Sequence, residues 1–463
     1  MRPNILFINV DQQRYDALGF TGNPIVKTPH LDSLAANGMS FTEAYTPIPI
    51  CCPARQSLLC SQIAEVHGGL WNYDGGAGFK MGGIAPHADM WPFKLKEAGY
   101  STAYLGKWHV NPTINPTGFG YDRYIPERYP ARRPAGNIWH SLEGIRALGM
   151  KDEGDVETSY THMFAKDCVG TIKEFADRDA PWHVRLDFMH PHLPNFPAEP
   201  FASMYRPDNI PPWGSFNDTF TGKPYIQRQQ LSNWGIENWT WKEWSQIVSQ
   251  YYGVISQYDD ALGRVFSFLT SQGLMKDTMI IYTTDHGDMT GSHRMMDKHY
   301  VMYQDITHVP MVIRHDGVIA PGSTNGDLIN HYLDLGPTIL DLLGLPIPSS
   351  YQGISMLPQL SEKRNDRTRT HITSSYNGQQ FGLYAERMIT DGRKKLVWNL
   401  TDVDEYYDLD TDPWEIYNLI ADVSRKDEIQ RMRTQLLQEL SALKDPIVAN
   451  PWMKHQLMNG AKL

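Results

Sequence analysis

Cys51-Cys52-Pro53-Ala54-Arg55 carries the most chemical information in this chain. It reads C-x-P-x-R in one register only. Counted from Cys51, proline falls at plus two and arginine at plus four; counted from Cys52, those places hold Ala54 and Gln56. A lone cysteine is most often a small buried hydrophobe. Here Arg55 opens an expected helix from Arg55 to Gln62, so Cys51 lies near a helix N-terminus, where free N–H groups and the dipole favour anions. Two further pairs, Asp11-Gln12 and Asp285-His286, supply two carboxylates, an amide oxygen and an imidazole. Those oxygens suit a hard cation such as calcium or magnesium, and the nitrogen widens the choice to manganese. Strand-end Asp and Gln also cap turns, so each residue alone has an ordinary reading. Lys107 and His109 flank Trp108; on an extended segment they point to one side, which suits an oxyanion. His190 and His192 flank Pro191, and only one of them need be catalytic.

These residues must be positioned by regular elements, and the pattern supplies them. Four short apolar runs read as buried strands: Asn4 to Val10, Ser101 to Leu105, His183 to Phe188 and Met279 to Thr284. Each stops at chemistry, namely Asp11-Gln12, Gly106-Lys-Trp-His109, His190-Pro-His192 and Asp285-His286-Gly287. Helical stretches lie between them: Thr28 to Asn37, Trp91 to Ala98 and Gln257 to Leu269. Alternating strands and helices imply an α/β fold, with a large mostly parallel or mixed sheet covered on both faces. Ligands bind such sheets beyond the carboxyl ends of the strands. From about Asn365 the strands shorten: His371 to Tyr376, Gly382 to Ile389 and Lys394 to Asn399, then an amphipathic helix from about Lys426 to Leu443. The expected division is therefore a catalytic domain over 1–364 and a C-terminal α+β subdomain over 365–463, a small antiparallel sheet with one packed helix. Asn111 to Asp155 and Asn195 to Trp244 show little periodicity. Trp213, Trp234, Trp239, Trp241 and Trp244 favour ordered, packed loops in the second of these stretches.

The 463 residues suit a large enzyme with an appended subdomain. Hydrophobic residues make up 41% and charged residues 20%, which fits a soluble globular protein. The net charge of −10 argues against nonspecific nucleic-acid binding, but leaves room for a basic pocket. Four cysteines are too few for a disulfide framework. No run reaches the ~18 apolar residues that span a bilayer, and the first run is too short for a signal peptide. The expected location is cytoplasmic, or periplasmic or secreted if a leader has been removed.

Several segments together resemble the sulfatases of the alkaline phosphatase superfamily: Pro3 to Gln12, Thr28 to Ala35, Cys51 to Arg55, Leu95 to Thr102, Gly106-Lys-Trp-His109, Thr284 to Gly287, and the Tyr407-Asp-Leu to Asn418-Leu419 tail. The cysteine motif and Gly-Lys-Trp-His are the most specific of these. The resemblance implies that Cys51 is oxidised to formylglycine (3-oxoalanine) by a maturation enzyme, and that the aldehyde hydrates to a geminal diol. It implies one divalent metal on Asp11, Gln12, Asp285, His286 and the modified Cys51, with calcium expected and manganese or magnesium as alternatives. One diol oxygen attacks sulfur. Arg55 supports the diol and the metal shell, and Lys107 and Lys298 neutralise the transferring group. His192 acts as general acid, with His190 behind it, and His109 helps remove a proton from the second hydroxyl. The implied substrate is a small-molecule or oligosaccharide sulfate ester. A sulfated carbohydrate is suggested by the tryptophan- and arginine-rich loops. Many sulfatases carry two aspartates where this chain has Asp11-Gln12, and Asp-Asn where it has Asp285-His286. That departure resembles the phosphonate monoester hydrolase branch, so phosphonate or phosphodiester hydrolysis is the alternative. A non-catalytic relative on the same fold would have lost ligands, and none is lost here.

Overall fold

The computed structural model describes residues 2–73, 83–128, 139–141, 146–360, 369–379 and 382–462. Eight strands build the large sheet: β1 Asn4–Asp11, β2 Met39–Phe41, β3 Ser101–Gly106, β4 Arg123–Pro126, β5 Trp182–Pro191, β6 Thr278–Thr284, β7 Met311–Arg314 and β8 Ser323–Asn325. Their spatial order is β8-β2-β7-β6-β1-β5-β3-β4. Only β7 runs against its neighbours, so the sheet is mixed but mainly parallel, as expected.

The central strand β1 lies between β5 and β6, with Ile5 opposite both His183 and Met279. The period of two sorts its side chains onto opposite faces. Ile5 and Phe7 join one core with Ala54, Trp91, Leu335 and Ile339. Leu6, Ile8 and Val10 join the other with Leu31, Phe164, Ile255 and Leu262. Each such fully buried side chain contributes about 1.5–3 kcal/mol. The helices supplying the first face are α2 Cys51–Cys60, α3 Trp91–Glu97 and α7 His331–Leu342; those supplying the second are α1 Pro29–Ala36, α4 Tyr160–Ala176 and α6 Trp241–Ser271. No described helix is long and apolar enough to cross a membrane.

Four local expectations change. Helix α2 starts at Cys51 rather than Arg55, because Pro53 falls in the first turn, where its missing N–H costs nothing. The stretch from Asn195 to Trp244 holds a helix, α5 Tyr225–Trp234, and the start of α6. Half of the buried face of α5 is Gln227 and Gln230, beside Leu231 and Trp234, so hydrophobic periodicity could not show it. Helix α6 begins at a Thr240–Glu243 capping box, sixteen positions before the expected Gln257. Asn111 to Asp155 contains the edge strand β4, whose half-exposed residues carry no apolar alternation; 129–138 and 142–145 of that stretch lie outside the described residues.

The C-terminal sheet runs β9 Ile372–Tyr376, β10 Glu386–Thr390, β11 Lys394–Asn399 and β12 Glu405–Asp408, antiparallel throughout and in chain order. Ile389, Leu396, Trp398 and Tyr406 pack against Ile429, Met432, Leu436 and Leu440 of α8 Lys426–Ala442. A further helix, α9 Pro451–Asn459, follows and adds Leu457 to the same core. On the opposite face Met388 and Val397 join the core of the large sheet. The expected boundary at 364/365 falls within 361–368, outside the described residues.

Candidate active site

The ends of β1 and β6 are neighbours, with Val10 opposite Thr284, so Asp11 and Asp285 emerge side by side. Gln12 follows in a left-handed conformation at φ 65° and gives its N–H to Asp285 Oδ1 at 3.1 Å. Helix α2 aims its first turn at the same point. Ile50 at its N-cap makes no side-chain cap, and the Cys52 N–H is capped instead by Asn72 Oδ1 at 2.9 Å. Cys51 is fully buried there, its Sγ 3.3 Å from His286 Nε2 and 3.7 Å from Asp11 Oδ1. Gly287 must be glycine for this turn, because a Cβ would lie 1.9 Å from the Asp305 carbonyl oxygen.

Arg55, one turn along α2 from Cys51, has no exposed surface and ties three carboxylates together. Its Nε donates to Asp285 Oδ2 at 2.9 Å, Nη2 to Asp11 Oδ2 at 2.9 Å, and Nη1 to Asp187 Oδ1 at 3.2 Å. Lys107 Nζ adds a 2.7 Å contact to Asp11 Oδ2. Burial opposes ionisation of Asp11, yet Lys107 and Arg55 outweigh it and hold its pKa well below the ordinary carboxylate value. Each carboxylate thus gives one oxygen to Arg55. Asp11 turns its other oxygen towards Cys51, and Asp285 sets its own against the Gln12 and His286 N–H groups at 3.1 Å.

His286 Nδ1 lies 2.9 Å from the Gly287 carbonyl oxygen, which only accepts, so Nδ1 carries the hydrogen and Nε2 presents a lone pair. Burial lowers its pKa, against the pull of Asp285. Ligand atoms of Asp11, Cys51, Asp285 and His286 all lie within 4.8 Å of one another. One cation with bonds of about 2.0–2.6 Å fits that span, and the fixed tautomer is the one a metal-bound histidine needs.

Gln12, beside the cluster in sequence, has further partners of its own. Its Nε2 donates to Asp288 Oδ2 at 2.6 Å and to Asp297 Oδ1 at 3.1 Å, and its Oε1 accepts from Lys298 Nζ at 2.7 Å. Lys298 is buried. It also touches Asp297 Oδ1 at 3.1 Å and His192 Nε2 at 3.0 Å. His192 Nδ1 donates to the Leu193 carbonyl at 2.6 Å, so Nε2 accepts from the lysine. Burial, then Lys298 and Lys107, hold the His192 pKa well below its ordinary value. Burial also opposes ionisation of Asp297, but Lys298 and His299 draw its pKa well down. Burial and Asp297 push Asp288 up to about 6.

Lys107, His109, His192 and Lys298 all line one cleft of about 670 Å³, with Asn72, Tyr73, Glu127, Asp297 and Gln379. Lys107 and His109 reach it from a bent segment, not an extended one: Gly106 takes φ 100° and His109 φ 47°. His109 meets Tyr73 edge-on at 5.1 Å. His190 stays behind, packed edge-on against Tyr160 at 5.3 Å. The five tryptophans do not line the cleft. Trp234 and Trp244 are buried, Trp239 packs edge-on against Trp244, and Trp213 lies 4.1 Å from the Arg14 guanidinium carbon. They pack the loops and offer no stacking face for a sugar in the cleft. Sequence reasoning missed Asp187, Asp288, Asp297, Asn72 and Gln379. Asp187 left a signal: Arg185 and Asp187 are two polar residues on one face of a buried strand, and they pair at 2.5 Å.

A buried acid–imidazole–sulfur cluster at the strand ends of an α/β sheet, beneath a cleft with two lysines, defines a hydrolase of anionic esters. The sulfatase family matches residues 3–345, and the C-terminal region of N-sulphoglucosamine sulphohydrolase matches 291–443. The chain belongs to the sulfatase family and is a sulfuric ester hydrolase. It is 28% identical over 478 residues to an arylsulfatase of Clostridium perfringens, covering 95% of both chains. Its fold matches a solved protein in complex with its substrate D-glucosamine-2-N,6-O-disulfate, with TM-score 0.78 and 21% identity over 96% of this chain and 99% of that one. It also matches the phosphonate monoester hydrolase of Agrobacterium radiobacter, with TM-score 0.80 and 23% identity over 96% of each chain.

Proposed function

We propose that this chain removes sulfate from a sulfated carbohydrate. It would use a formylglycine made from Cys51 and one divalent cation on Asp11, Gln12, Asp285 and His286, calcium rather than manganese or magnesium. The observation that carries this reading is the meeting of Cys51 with Asp11, Asp285 and His286 at one buried point beside the cleft. The bound cation would polarise the sulfate ester, and the hydrated formylglycine would supply a hydroxyl for attack and a second one for release of sulfate.

The side chains divide the remaining work. Arg55 fixes the two metal-facing carboxylates in place. Lys107 and Lys298, both reaching the cleft, neutralise charge on the sulfate oxygens as the leaving bond stretches. The His192–Lys298 pair holds one proton across 3.0 Å, and the leaving oxygen takes its proton from that pair. His109, in the same cleft, accepts the proton of the second hydroxyl. The carbohydrate assignment draws on the disulfated glucosamine bound by the structural neighbour.

Gln12 and His286 favour a second reading, phosphonate or phosphodiester hydrolysis, which the fold match to the phosphonate monoester hydrolase accommodates. Intact mass after co-expression with a formylglycine-generating enzyme should fall by roughly 18 Da, whereas oxidised cysteine acids gain mass. Cys51→Ala should abolish turnover, and unchanged activity would reject the aldehyde mechanism. A kcat/KM much larger on aryl phosphonates than on aryl sulfates would reverse the ranking of the two substrates.

A further inference from the structure

The same four side chains offer a different site while residue 51 is still a cysteine. Three edges of the cluster are defined: Cys51 Sγ to His286 Nε2 at 3.3 Å, Cys51 Sγ to Asp11 Oδ1 at 3.7 Å, and His286 Nε2 to Asp285 Oδ1 at 3.8 Å. A tetrahedral zinc ion with Zn–S of about 2.3 Å and Zn–N or Zn–O of about 2.0–2.1 Å sets its ligands about 3.3–3.6 Å apart. Those three edges lie within about 0.2 Å of that span, and no two of the four ligand atoms are more than 4.8 Å apart, so ligation needs only a small contraction. Its donors are one sulfur, one nitrogen and two carboxylates, a zinc set. A hard cation such as calcium requires six to eight oxygens and gains nothing from sulfur. The imidazole is held in the required tautomer by Gly287, and Arg55 holds the far oxygens of both aspartates.

We propose that the unmodified chain binds zinc through Cys51 Sγ, His286 Nε2, Asp11 and Asp285, and that conversion of Cys51 changes the site from a zinc centre to a hard-cation centre. Binding forms the zinc–sulfur bond and releases the thiol proton to solvent, with no change of oxidation state. Conversion by the maturation enzyme, an oxidation of the Cys51 β-carbon by an external oxidant such as dioxygen that expels the sulfur, leaves an aldehyde oxygen in its place and so removes the one soft ligand. The zinc-loaded chain is inactive, because its sulfur is a metal ligand and it carries no aldehyde. The proposal rests on the assignment of these four residues as metal ligands, and not on which ester the matured enzyme cleaves.

The test uses full-length chain made without a formylglycine-generating enzyme, with cysteine at position 51 verified by intact mass. The stripped protein is titrated with cobalt(II) as a spectroscopic substitute for zinc. One equivalent should produce tetrahedral d–d bands and a thiolate-to-cobalt charge-transfer band in the near ultraviolet, and one equivalent of zinc should remove both. Cys51→Ser should abolish the charge-transfer band. It should also weaken zinc binding by at least the roughly 10–100-fold that loss of an outer hydrogen-bond partner costs. Cys52→Ser, altered one position along, should keep the band, and His286→Gln should weaken zinc binding as a second ligand loss. Cobalt binding with no charge-transfer band, a band that survives Cys51→Ser, or zinc affinity equal in wild type and Cys51→Ser would each overturn the proposal. None of these readouts involves turnover, so failure here leaves the sulfatase reading intact, and failure of that reading leaves this one intact.

Discussion

Arg55→Met probes the site's electrostatics most directly. Methionine keeps most of the buried stem and removes the guanidinium. Three carboxylates then lose a donor, but not equally. Asp11 keeps Lys107 at 2.7 Å, and Asp187 keeps Arg185 at 2.5 Å. Asp285 keeps two backbone N–H groups and, among the described residues, no other lysine or arginine salt bridge. The net change is therefore one uncompensated buried carboxylate, a loss of about 3–5 kcal/mol. At about 2.1 cal/mol/K per residue, unfolding this 463-residue chain has an entropy of about 1 kcal/mol/K. Tm should fall by about 3–5 °C in chelator. A cation bound between Asp11 and Asp285 replaces the lost charge, so saturating calcium or manganese should recover much of that shift. Differential scanning calorimetry of wild type and variant, with EDTA and with metal, measures both quantities. A Tm within about 1 °C of wild type in EDTA, or an equal deficit with and without metal, would refute the reasoning.

His192→Asn should lower kcat by about 10²–10⁴ on alkyl or sugar sulfates, and far less on 4-nitrophenyl sulfate, whose leaving group needs no proton; equal losses on both would count against a proton-donor role. Prolonged dialysis against EDTA should abolish sulfate ester hydrolysis, with recovery on adding back a divalent cation; full activity in chelator, with metal content shown to be nil, would remove the metal from the mechanism. Asp259 accepts the His30 and Leu31 N–H groups at the start of α1, yet burial pushes its pKa up to about 7. A carboxyl raised above its unfolded value of about 3.9 stabilises the fold fully below that value, and the gain is lost as pH rises through 7. Asp259→Asn should therefore flatten the fall in Tm between pH 5 and 8, and an unchanged slope would show that Asp259 does not titrate there.

The positions of the chemistry were legible because buried parallel strands must be apolar nearly throughout, so their ends are visible. Asp11 and Asp285 each follow such a run, and their meeting needs only that β1 and β6 be neighbours. Helix α5 was invisible because tertiary contacts, not apolar period, bury its glutamines: Gln227 donates to Glu405 in the C-terminal sheet at 2.8 Å. Asp288 and Asp297 stand close in sequence to His286 and Lys298, yet residue type alone gives them no role. Their roles come from partners 276 and 285 positions away, a separation no local pattern reports.

Gln12 shows where residue type stops being informative. An amide can present either end, and sequence alone made its oxygen a metal ligand. In the fold, two carboxylates that accept and one ammonium that donates surround it, and only one orientation satisfies all three. That orientation turns the oxygen to Lys298, which in turn faces His192. An aspartate at position 12 could not donate to Asp288 and Asp297, and would set a third carboxylate against them. Glutamine there is thus matched to the acidic pair behind it. Its place in the chain is that of a ligand, and its hydrogen bonds also make it the strut that holds the cleft's second lysine.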